Sequence, residues 1–107
     1  MNVRFSQGAV RCRITRAELE RLMSGRAVAL EVALPGDHIF RMNVRPTTVG
    51  GWRLDSDPTG LWLTIAREDL EWLFESAPNK DGVERTFDAA NGGKLRVSFE
   101  VDVKDRE

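Results

Sequence analysis

Apolar residues fall on alternate positions through much of this chain. Val10, Cys12 and Ile14 alternate with Arg11 and Arg13, then Val28, Leu30, Val32 and Leu34 repeat the pattern, then Phe40, Met42 and Val44. A period of two is the signature of a strand with one buried face, and it turns Cys12 inward. Val3 to Phe5, followed by Ser6-Gln7-Gly8, makes the opening a hairpin. Between the alternating runs the period lengthens, and Leu19, Leu22 and Met23 share one face of a helix. Thr15-Arg16-Ala17-Glu18 reads as its capping box, the Thr15 hydroxyl accepting from the Glu18 N–H while Glu18 reaches back to Thr15. Ser24-Gly25 ends that helix, and Pro35-Gly36-Asp37 joins the strands that follow.

The same unit is then written again. Setting the second half back by 51 positions matches Ile14, Arg16, Leu19, Glu20 and Leu22 with Ile65, Arg67, Leu70, Glu71 and Leu73, five identities in the eleven pairs from 14 to 24. Residues 1–46 and 52–107 are therefore read as two strand, strand, helix, strand, strand repeats joined by 47–51, with Pro46 through Gly51 rich in turn formers. In the second copy Asp55 to Gly60 makes the turn, Leu61, Leu63 and Ile65 point inward, and Leu70, Leu73 and Phe74 line a helix. That helix starts more weakly, since Ala66 stands in the place of Thr15. Ala77 to Gly82 forms a longer exit loop, and Val83 to Asp88 and Leu95 to Val103 supply the last strands around Asn91-Gly92-Gly93. The expected fold is α+β and mostly β: about eight antiparallel strands curled into a barrel or sandwich, closed by two short helices around a pseudo-twofold axis.

Composition narrows this to one domain. A chain of 107 residues buries roughly 60 to 70% of its extended surface, enough for one core and not two. With no apolar run near the ~18 residues of a membrane span and no signal-like start, the reading is a soluble cytoplasmic protein. One cysteine, Cys12, and one histidine, His38, rule out an intramolecular disulfide and a histidine-cysteine metal cage, and nothing points to a cofactor. Charge divides sharply. Residues 1 to 53 carry nine arginines against four acids, and residues 54 to 107 carry seven basic against thirteen acidic residues. The simplest account is attraction between the halves within the fold; the sharper one is a basic face for an anionic partner.

The strand reading Gly8-Ala9-Val10-Arg11-Cys12-Arg13-Ile14-Thr15, running straight into a helix within a strand, strand, helix, strand, strand unit, resembles the swapped-hairpin unit of AbrB-like DNA-binding domains. Those domains are dimers of one unit, so the resemblance implies an internal pseudo-dimer that binds nucleic acid. Nearly the whole chain also resembles a family of small uncharacterised bacterial proteins, on Val3-Arg4-Phe5, Val10 to Leu19, Leu61-Trp62-Leu63-Thr64-Ile65 and Leu95 to Glu100. That second resemblance implies one compact domain and assigns no site.

No catalytic signature stands out. His38 reads as a turn residue, and Asp55 and Asp57 as turn initiators before a cation site. Gly50-Gly51 enters a strand, so it is not the phosphate loop that opens a helix. Arg4, Arg11 and Arg13, with Arg16 at the helix start, line an outward face suited to phosphates or carboxylates. Trp62 and Trp72 lie off the inward faces, where interface anchors are found. These six residues are the candidate partner-binding set. The sequence therefore reads as a non-enzymatic protein-interaction module, with a second copy of the chain among its possible partners. An AbrB-like nucleic-acid binder is the alternative, and a small enzyme ranks below both.

Overall fold

The computed structural model describes residues 1–76 and 82–102. Its elements are β1 (Asn2–Ser6), β2 (Ala9–Ile14), α1 (Arg16–Met23), β3 (Val28–Leu34), β4 (His38–Thr47), β5 (Arg53–Asp57), β6 (Gly60–Ala66), α2 (Arg67–Glu75), β7 (Val83–Asp88) and β8 (Lys94–Val101). Five residues of the expected exit loop, 77–81, and the expected strand position Val103 lie outside the described residues. The expected class is the one observed: α+β, mostly strands, with two short helices.

The strands form two four-stranded sheets, ordered β1-β2-β8-β7 and β3-β4-β6-β5, and they do not close into a barrel. Each sheet therefore joins one hairpin from each copy. All four hairpins are antiparallel as expected, but the central pairs β2·β8 and β4·β6 are parallel, which corrects the expectation of antiparallel strands throughout. The reason is geometric. The matching registers make β2 equivalent to β6 and β8 equivalent to β4, so a repeat of the unit does not fix the direction of β2 against β8.

The registers make the repeat quantitative. Ala9 faces Arg96 and Gly60 faces Arg41, so the first hairpins are offset by 51 residues and the second hairpins by 55. The same offsets carry Val3↔Cys12 onto Leu54↔Leu63 and Val28↔Val44 onto Val83↔Phe99. The four additional residues fall between α2 and β7.

One core serves both copies. Ile14 and Ile65, Leu19 and Leu70, Leu22 and Leu73 are all buried, equivalent pairs at the centre of the cluster. Cross-strand partners balance their volumes: Cys12 sits opposite Phe99 in the first sheet, where the second sheet has Leu63 opposite Val44. A small residue beside a large one replaces two of middle size, which keeps the core filled. Cys12 is fully buried in this core, and burial pushes its thiol up to about 12.

The helix starts differ as their sequences require. Around α1 the capping box is complete, with Glu18 N–H donating to the Thr15 hydroxyl at 3.1 Å and Thr15 N–H to the Glu18 carboxylate at 2.9 Å. Ala66 gives α2 no side-chain cap. Asp69, the counterpart of Glu18, instead accepts from the Trp52 indole N–H at 2.7 Å and from Arg85 at 3.2 Å. Gly25, at φ 93°, closes α1 through the Arg26 N–H to Arg21 carbonyl bond.

Candidate functional site

Three of the candidate arginines are brought together on the outer face of the first sheet. Arg4 stands opposite Arg11 in the β1·β2 ladder, and Arg13 follows two positions along. Arg11 and Arg13 both donate to one oxygen of Glu100, from Nε at 2.9 and 3.1 Å. Glu100 is only 8% exposed and comes from the acidic half, so this contact joins the two copies. The attraction between oppositely charged halves thus has a concrete site, and it occupies two of the guanidinium groups that a phosphate backbone would need. Arg16 is not part of this face. It lies at the start of α1 with its guanidinium 4.5 Å from the Phe74 ring centroid, a cation–π contact between the two copies.

The two candidate tryptophans are also separate. Trp62 is half-buried on the outer face of the second sheet, between Asn43 and Asp55, and is the counterpart of Arg11. Trp72 is 44% exposed on α2, and no ring contact joins the two among the described residues. His38 is exposed at the start of β4. Asp57 accepts from both the backbone and the hydroxyl of Thr59, and those bonds hold its carboxyl below the usual range. Asp55 pairs with Arg53 at 3.0 Å. Both acids thus serve the turn and the sheet surface.

Two features escaped the sequence reading. The inward face of β3 and β4 runs on beyond the core: Val32 and Leu34, each 44% exposed, continue into Phe40, against which Phe5 packs edge-on at 6.3 Å. Phe5 is itself 58% exposed. The alternation correctly put Val32 and Leu34 on one face, but nothing in it marked where the cover ends. The second feature is a cleft of about 630 Å³ where the connector leaves β4 for β5, with Arg45, Thr64 and Arg53 among its lining. A pair of arginines flanking Gly50-Gly51 was the available signal.

Comparison with protein-family models, curated proteins and solved structures returned no match. No described helix is long and apolar enough to cross a membrane.

Proposed function

We propose that this protein is a non-enzymatic protein-binding module that associates with a second copy of itself through the free edge of β3 and the apolar surface beside it. The observation that carries this reading is the composition of the sheet edges. An edge strand exposes unpaired backbone groups, and proteins guard such edges with charges, prolines or bulges. β5 (RLDSD) and β7 (VERTFD) each carry three charges, and β1 (NVRFS) is five residues long with Arg4 at its centre. β3 is seven residues, VALEVAL, with one charge, and that carboxylate is already tied to Arg41.

A twofold-related β3 laid antiparallel would extend the second sheet into a continuous eight-stranded one. Centring the pair on Val32 sets Glu31 against Ala33 and avoids like charges face to face. Val32 would then lie beside Val32 of the other copy and Leu34 beside its Leu30, giving an apolar seam flanked by Phe40 and Phe5. Sedimentation of the wild type is expected to give a dimer mass, and Val32→Lys with Ala33→Lys a folded monomer. A wild type that stays monomeric at concentrations on the order of 1 mM would overturn the reading. If Trp62 and Trp72 form the contact instead, arginine at both positions would produce the monomer and the β3 variant would not.

One observation favours the nucleic-acid alternative. Arg4, Arg11 and Arg13 stand together on the outer face of the first sheet, a cluster of cations that a phosphate backbone could engage. Duplex DNA titrated at two salt concentrations separates the readings, because phosphate contacts make affinity fall steeply with salt.

A further inference from the structure

Arg45, Thr64 and Arg53 stand abreast on the outer face of the second sheet, Arg45 opposite Thr64 in β4·β6 and Thr64 opposite Arg53 in β5·β6. With strands spaced about 4.8 Å, the two arginine backbones straddle Thr64 roughly 10 Å apart. The counterpart row in the first sheet is Glu100, Arg13 and Asn2. There a buried carboxylate neutralises the row; here its position is taken by Arg45. Arg53 shares its charge with the half-exposed Asp55, and Arg45 has no hydrogen-bond or ion-pair partner among the described residues.

The walls of the cleft are held in place. Thr47 accepts from the Val49 N–H at 3.1 Å and donates to its carbonyl at 2.9 Å, which fixes the connector. Trp52 is pinned by its bond to Asp69 and by Arg85 over its ring. Gly50 needs its freedom, with φ at +76°. Gly51 does not: its φ lies outside the left-handed region, and a Cβ there would meet nothing within 4 Å. Without a side chain at Gly51, that stretch of the wall leaves its backbone open to a ligand.

We infer that this cleft binds a phosphate dianion, either free phosphate or the phosphate group of a small monoester, between Arg45 and Arg53. The Gly50-Gly51 backbone forms its near wall, and the anion takes the neutralising role that Glu100 plays in the first sheet. Guanidinium forks match tetrahedral oxyanions through paired, charge-assisted hydrogen bonds. The site is distinct from the β3 edge.

The test is an amide NMR titration of the full chain with sodium phosphate and with phenyl phosphate, against sodium chloride at matched ionic strength. Saturable shifts at Gly50, Gly51 and Thr64 are expected, with a dissociation constant on the order of 1 mM, reasonable for a ligand of five heavy atoms. Arg45→Ala and Arg53→Ala should each weaken binding about tenfold, the effect of losing one charge-assisted contact. Gly51→Val should weaken it while leaving the melting temperature unchanged, and Arg96→Ala should have no effect. Tighter binding of phenyl phosphate would identify a monoester as the ligand; equal affinity would identify free phosphate. Shifts reproduced by chloride, or surviving in the Arg45→Ala, Arg53→Ala double variant, would overturn the proposal and leave the β3 reading untouched.

Discussion

The two sheets share their registers residue for residue and differ in what they show to solvent. In the first, Arg11 and Arg13 close onto Glu100; in the second, the same positions carry Trp62, Thr64 and Arg45. The first sheet's edges are guarded by charge or short length, while the second exposes β3 with a single glutamate. A shared core constrains the inward residues of both copies together but leaves the outward ones to diverge. Core equivalence should therefore survive substitution tests, and surface equivalence should fail them.

The largest effects belong to the shared core. Leu22→Ala and Leu73→Ala should each cost about 2 to 5 kcal/mol in denaturant unfolding, since both side chains fill one cluster. Strongly unequal values would break the equivalence. Gly60→Ala should cost about 3 kcal/mol or more, because its Cβ would lie 2.1 Å from the Arg41 carbonyl oxygen. Its counterpart Ala9 already carries a Cβ, so the sheets differ there, and Ala9→Gly should be mild.

The volume exchange offers a sharper test. Cys12→Leu overpacks against Phe99 by about 1 to 3 kcal/mol, and Phe99→Val leaves a cavity of similar cost. The double variant recreates the Leu63 and Val44 pairing of the second sheet. It should recover about 1 to 2 kcal/mol relative to the sum of the singles, the coupling expected of residues in contact. Additive costs would show that the two sheets do not pack alike.

Smaller effects lie at the helix starts. Thr15→Ala should cost about 1 kcal/mol and Ala66→Thr should gain somewhat less, narrowing the difference between α1 and α2. Glu18 adds a pH signature. Burial pushes its carboxyl up, but the bonds from the Thr15 backbone and the Met1 ammonium outweigh that and hold it below the ordinary value of 4.5. Its contribution is therefore full above about pH 4.5 and is lost as pH falls toward the lowered value. Glu18→Gln should be less stable than wild type at neutral pH and lose less on acidification.

Local features were legible in the sequence because each is written within a few residues. The capping box at Thr15, the weak start at Ala66 and the Gly25 stop are of this kind, and so are the hairpins, whose alternation and turns sit side by side. Hairpin partnership was not legible, because the edge that Val10 to Ile14 offers to β8 looks like the one it would offer to any apolar strand. The direction of the central pairs went with it. For the candidate residues, the outward placement of Arg4, Arg11, Arg13 and Trp62 was legible, but Glu100, which pairs with two of those arginines, lies 87 residues from Arg13. The exposed end of β3 and the Arg45 cleft depend on where cover stops, which alternation does not encode.

Association through β3 requires that its edge be covered in solution. Amide hydrogen exchange across Val28 to Leu34, measured at two protein concentrations well separated around the dimer dissociation constant, tests this directly. We predict that the outward-facing amides of β3 become protected as concentration rises, while those of β1, β5 and β7 do not change. Fast exchange of the same β3 amides at every concentration would contradict the proposed association.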